Sequence, residues 1–184
     1  MLVVAIVGMA GAGKSEVSRV FESNGFTRIR FGDVTDEELT KQGLALTEEN
    51  ERRMREALRQ RYGMEAYAML NLTKIDLALK TNQVVVDGLY SWEEYTFLSN
   101  YYHQNFRVVA VWSSPATRYS RLSHRPVRPL TLKEAYSRDE SEIVKLNKGG
   151  PIAMADFTII NESSLKNLEK ETKKTISEVS KSNV

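Results

Sequence analysis

The stretch Leu2-Val3-Val4-Ala5-Ile6-Val7-Gly8-Met9-Ala10-Gly11-Ala12-Gly13-Lys14-Ser15 decides how this chain folds. Its first six residues form an apolar run that reads as a buried strand, and the next eight fit G-x-x-x-x-G-K-[ST], a phosphate-binding P-loop. A polyphosphate must be wrapped by backbone N–H groups. A side chain at Gly8, Gly11 or Gly13 would hold the backbone away from the oxygens or forbid the required dihedrals, and Met9, Ala10 and Ala12 complete the ATP-binding loop. Lys14 is expected on the β/γ-phosphates and Ser15 on Mg²⁺, while the helix beginning near Gly13 aims its positive end at the anion. The amphipathic Glu16-Val17-Ser18-Arg19-Val20-Phe21 that follows suits such a helix.

Outward from this motif, composition sets bounds. The 184 residues suit one α/β domain over 1–184, and 41% hydrophobic content is enough for a real core. The 26 Lys+Arg against 24 Asp+Glu leave a net charge of +2, too near neutral for a nucleic-acid surface without a clustered stripe. Cysteine is absent, which excludes disulfide scaffolds and thiolate catalysis. The chain opens directly on a strand with neither a basic n-region nor a cleavage site, and no apolar run approaches the roughly 18 residues of a membrane span. A cytoplasmic protein with no membrane partner is expected.

Apolar or β-branched runs recur at 2–7, 27–31, 84–86, 106–112 and 157–160. Helical patterns separate them, which predicts a parallel sheet covered on both faces. Thr35 with Glu38, Ser91 with Glu94 and Thr131 with Glu134 have capping-box spacing, and Ser114-Pro115 reads as an N-cap followed by an N1 proline. A long helical insertion, roughly 36–81, is broken near Gly43 and Gly63. Gly149 to Met154 reads as a tight connection to the last strand. Leu165, Leu168, Thr172, Ile176 and Val179 form the apolar stripe of a closing amphipathic helix.

Two further elements carry phosphate chemistry. Metal-assisted phosphoryl transfer needs a carboxylate near the Mg²⁺ shell, and Val84-Val85-Val86-Asp87-Gly88 places one at the carboxyl edge of the sheet, where ligands bind in open α/β folds. Arg118, Arg121, Arg125 and Arg128 follow the fourth strand. The first three lie at i, i+3 and i+7, so one helix face can present them, and guanidinium forks stabilise the charge that transfer spreads over equatorial oxygens. Arg121 and Arg125 are the expected clamps. His103 and His124 lack metal-ligand spacing and read as structural.

In order, the strand–P-loop–helix unit, Phe31-Gly32-Asp33, the insertion, Val86-Asp87-Gly88, the run from Arg118 to Arg125 and Ala155-Asp156-Phe157-Thr158-Ile159-Ile160-Asn161 resemble the nucleoside-monophosphate-kinase and dephospho-CoA-kinase group of P-loop kinases. They look nearest to an adenylate-kinase-related branch. The resemblance covers nearly the whole chain. It implies a three-layer P-loop kinase fold: a five-stranded parallel sheet in order 2-3-1-4-5, with helices on both faces. The insertion would hold the phosphoryl acceptor, and a short lid of about 121–131 would close over ATP. It also puts Asn161 near the adenine, Asp33 where the base for an acceptor hydroxyl sits, and Arg138 where dephospho-CoA kinases carry an arginine after the lid. Asp87 would face the acceptor as well as the metal.

Two departures bear on the acceptor. Asp36 and Tyr90 stand in neighbourhoods where adenylate kinases place arginines that grip the monophosphate. Acceptor contacts then fall to the arginines of the insertion, Arg59 first, because it matches a Leu-Arg before Gly in the related branch. The reading is an ATP- and Mg²⁺-dependent phosphotransferase, monomeric or homodimeric, acting on dephospho-CoA or a nucleoside monophosphate, with a tilt toward a hydroxyl acceptor. The alternative is a nucleotide-binding switch or NTP hydrolase acting on a protein partner. Asn147-Lys148-Gly149-Gly150 lacks the final Asp of the guanine-specifying motif, which disfavours a Ras-like GTPase.

Overall fold

Strands that are apolar on both sides need cover on both sides, and this requirement organises the molecule. The computed structural model describes residues 1–126 and 129–181. The strands are β1 (Val3–Val7), β2 (Thr27–Arg30), β3 (Val84–Asp87), β4 (Phe106–Trp112) and β5 (Phe157–Ile160). All pair in parallel in the order β2-β3-β1-β4-β5, the order implied by the kinase resemblance. The helices are α1 (Lys14–Ser23), α2 (Asp33–Lys41), α3 (Glu48–Tyr62), α4 (Ala66–Ala78), α5 (Trp92–Tyr102), α6 (Pro115–His124), α7 (Leu132–Val144), α8 (Gly149–Ala153) and α9 (Leu165–Lys181).

Alternate residues of β1, β3 and β4 feed opposite cores. Val3, Ala5 and Val7 of β1 join Val84 and Val86 of β3 against Tyr67 and Ile75 of α4 and Leu98 of α5. Val4 and Ile6 join Val85, Val109 and Ile159 against Val17 and Phe21 of α1 and Leu168 and Val179 of α9. Each fully buried aliphatic side chain contributes about 1.5–3 kcal/mol of transfer free energy, so the two layers lock the strand register. That register sets Asp87 beside Ile6 on one flank and Arg30 on the other.

Helix ends follow their caps with one exception. Ser91, Ser114 and Thr131 accept from Glu94, Thr117 and Glu134 N–H groups, and Thr131 with Glu134 forms the full capping box. Thr35 is not a cap: α2 begins at Asp33 with Gly32 as its N-cap residue. The Thr35 hydroxyl is instead buried 2.6 Å from the Tyr67 hydroxyl, a partner that only the packing of α4 brings within reach. The insertion comprises α2, α3 and α4, broken at Gly43 and Gly63 as expected, with φ of 67° and 86°. The segment read as a tight connection at 149–154 is a short helix, α8. No helix among the described residues is long and apolar enough to cross a membrane.

Candidate active site

The P-loop connects β1 to α1, and Gly13 is the N-cap residue of α1 in left-handed backbone. Gly11 and Gly13 have φ of 80° and 102°, and a Cβ would meet the Arg118 carbonyl oxygen at 2.8 Å and Asn161 Nδ2 at 2.4 Å. Glycine is therefore demanded by the protein's own packing as well as by backbone geometry. Lys14 opens α1 and folds over the loop, donating from Nζ to the Met9 carbonyl at 3.1 Å. Burial, followed by the repulsion of Lys148, pulls its amine down to about 8.

Asp87 ends β3 almost wholly buried, and Ser15 Oγ lies 3.5 Å from its Oδ1. Arg28 on β2 donates to the other oxygen from Nε at 3.2 Å and also from Nη2. A hydroxyl and a carboxylate oxygen at the mouth of a P-loop are hard donors of the type Mg²⁺ selects, so this pair fits the ion. Among the described residues, no group of three or more His, Cys, Asp or Glu side chains could hold a metal by itself.

The arginines divide by environment. Arg118 is 4% exposed. It makes two bonds to Asp139, at 2.8 and 2.6 Å, and donates to the carbonyls of Ala10 and Ser113, fastening the P-loop to α7. Arg121 donates to Ser113 Oγ at 3.1 Å, to the Asn161 carbonyl at 3.0 Å and to Gly11 O at 3.5 Å. Asn161 in turn donates from Nδ2 to Ala12 O at 2.8 Å. Arg121 and Asn161 thus meet behind the loop, where α6 and the end of β5 converge. Arg125 is the C-cap residue of α6, and Arg128 lies outside the described residues.

On the insertion side, Asp33 sits in the first turn of α2, its carboxylate 2.9 Å from Arg30 and its side chain 41% exposed. Arg59 lies over the Tyr67 ring at 5.2 Å, and its Nε is buried without a hydrogen-bond partner among the described residues. Tyr67 packs edge-on to Tyr90 at 5.7 Å. The Tyr90 N–H donates to Glu94 Oε2 at 2.7 Å. Burial raises the Glu94 carboxyl to about 7. Arg138 on α7 reaches Glu142 at 3.4 Å, and its charge helps to lower the Lys14 amine.

Residues 4–145 match the AAA_18 family, described as an AAA domain. A UPF0200 protein of Thermococcus kodakarensis is 38% identical over 182 residues, covering 97% of this chain and 98% of its own. The chain belongs to the AAA_18 family and to the UPF0200 proteins. Among solved structures, TT1252 from Thermus thermophilus superposes with a TM-score of 0.66 at 18% identity, covering 96% of this chain and 97% of its own. Dephospho-CoA kinase from Campylobacter jejuni gives 0.57 at 16% identity, with 96% of each chain covered. The likeness is one of fold, and the fold is that of P-loop kinases.

In this UPF0200 chain the loop, Ser15 and Asp87 are legible in the sequence, and the structure brings Ser15 and Asp87 together. Arg28, Glu142 and Lys148 are not legible there. Arg28 carried a signal, a charged residue aligned with buried Val85 on a neighbouring strand, but the alignment needs the strand register. Lys148 carried none beyond its own charge.

Proposed function

We propose that this protein transfers the γ-phosphoryl group of ATP·Mg²⁺ to a small nucleotide-like acceptor, dephospho-CoA or a nucleoside monophosphate. The observation that carries the reading is the Ser15 hydroxyl 3.5 Å from Asp87, directly after the P-loop Lys14, at the carboxyl edge of a sheet in kinase order. Loop amides and Lys14 bind the donor phosphates. Ser15 would ligate Mg²⁺ and Asp87 would orient its waters, with Arg28 fixing the carboxylate. When bound, the ion neutralises charge on the β- and γ-phosphate oxygens.

The acceptor oxygen bonds to the γ-phosphorus as the bond to the β–γ bridging oxygen breaks, and ADP leaves with the electron pair. For an alcohol acceptor the proton goes to Asp33. Arg125 closes over the γ-phosphate from the lid. Arg121 and Asn161, joined behind the loop, support the base side of the nucleotide. Arg59 and Arg138 hold the acceptor.

Purified protein is tested with ATP·Mg²⁺ against dephospho-CoA and each ribo- and deoxyribonucleoside monophosphate. ADP formed only with an acceptor supports the kinase reading. ADP formed without one indicates a hydrolase, and binding without ADP indicates a sensor. Lys14→Ala lowers turnover by at least about 100-fold with the fold intact, because the lysine supplies charge stabilisation and no core packing. Undiminished turnover in that variant refutes the assignment.

A further inference from the structure

Lys148 and Arg138 converge on one carboxylate, Glu142, whose charge also acts on the P-loop Lys14. Lys148, between α7 and α8, places Nζ 2.8 Å from Glu142 Oε2, and Arg138 Nε donates to Oε1 at 3.4 Å. Lys14 feels the charges of Lys148, Glu142 and Arg138. Burial works against the Glu142 carboxylate, yet Lys148, Lys14 and Arg138 outweigh it and hold its pKa at about 2. The other acidic group near Lys14, Asp87, already answers Arg28. With Glu94 counted, a buried carboxyl that also acts on Lys148, the cations Lys14, Lys148 and the half-exposed Arg138 still outnumber the carboxylates around them, an excess that a multiply charged anion balances.

Lys148 is 1% exposed, and its ammonium lies 5.4 Å from the centroid of the Tyr90 ring, on the insertion side. Its charge acts on the P-loop lysine, and its ammonium packs on Tyr90, which in turn meets Tyr67. Its segment is pinned. The Trp92 N–H donates to Leu146 O at 3.2 Å, the Lys148 N–H to Glu142 O at 3.2 Å, and a Cβ on Gly150 would meet the Trp92 ring at 2.5 Å. A lysine so anchored presents a compact charge with three N–H donors at a fixed place.

We propose that Lys148 is a second phosphoryl-binding lysine, which shares the γ-phosphoryl group with Lys14 as that group passes toward the acceptor side. Glu142 is its positioning residue. The inference rests on the phosphotransferase reading and adds to it a cation supplied from the segment before α8, outside both the P-loop and the lid. Because only a triphosphate carries the group in question, Lys148 discriminates ATP from ADP, whereas Lys14 and the loop amides serve both.

The test is calorimetric titration of wild type, Lys148→Met and Lys148→Arg with ATP·Mg²⁺ and separately with ADP·Mg²⁺. Lys148→Met loses about tenfold or more in affinity for ATP while ADP affinity stays within about twofold, and Lys148→Arg recovers part of the loss. Equal losses for the two nucleotides, or none, overturn the proposal and leave Lys148 as the partner of a buried ion pair. Should Lys148→Met fail to fold, Lys148→Met with Glu142→Gln removes both charges and the same ratio is read. Wild type that binds neither nucleotide overturns the phosphotransferase reading along with this one, while normal wild-type binding with unchanged selectivity in the variants overturns this one alone.

Discussion

Arg28 and Asp87 meet across adjacent strands so that both guanidinium contacts fall on Oδ2, leaving Oδ1 turned toward the Ser15 hydroxyl at 3.5 Å. An edge strand thereby sets the orientation of a carboxylate one strand further in.

Arg28→Met leaves the Asp87 carboxylate buried without its partner. We expect a stability loss of about 3 kcal/mol and a severalfold rise in the Mg²⁺ concentration that half-saturates turnover. Urea unfolding and a magnesium titration check the two effects separately. An unchanged magnesium requirement would show that the arginine serves stability alone.

Arg118→Met and Asp139→Asn should each destabilise by about 3–5 kcal/mol, because either change strands one member of a buried bidentate pair. Disrupting the exposed, solvent-screened Lys173–Glu169 pair on α9 should leave stability essentially unchanged. Thermal unfolding of the three variants compares them directly. Equal effects would contradict the burial argument.

Asp33→Asn should lower turnover on a hydroxyl acceptor by about 100-fold with little change in ATP affinity, since a general base acts in the transition state. Loss of the Arg30 contact alone would leave kcat nearly unchanged, so the split between kcat and ATP binding decides whether the carboxylate is a base or a surface partner.

Glu94 makes stability depend on pH. Its carboxyl titrates near 7 in the folded protein against 4.5 in its ordinary state, so folding favours the protonated form. The resulting stability is complete below pH 4.5 and is lost as pH rises through about 7. Lys14 acts in the opposite sense and only above about pH 8, where its amine is neutral in the folded chain. Glu94→Gln should therefore gain on wild type by on the order of 2 to 3 kcal/mol between pH 4.5 and 7.5. Urea midpoints at the two pH values measure it, and parallel shifts in both proteins would exclude Glu94 as the cause.

Much of the architecture was legible because its signals are local. The β4 bounds and the breaks of the insertion at Gly43 and Gly63 follow from apolar runs and glycine positions. Where a residue has two possible partners, locality fails. Thr35 has cap spacing to Glu38, yet its hydroxyl goes to Tyr67, 32 residues away. Arg118 fell in the same helical series as Arg121 and Arg125, but α7 supplies Asp139 and makes it a structural post. Arg121 likewise bonds to Ser113 and Asn161, positions that nothing in the run of arginines indicates.

By itself, the order of residues determined the glycine-rich loop, the alternation of strands and helices, and the placing of a carboxylate at the end of the third strand. Each depends on backbone preference or periodicity within a few positions. Only the tertiary structure decided which charges meet: Arg28 with Asp87 across 59 residues, and Arg138 and Lys148 on Glu142. The physical reason is that a charge acquires a function from its surroundings. Those are set by which strands and helices abut once the sheet order is fixed, a property that no short stretch of chain contains.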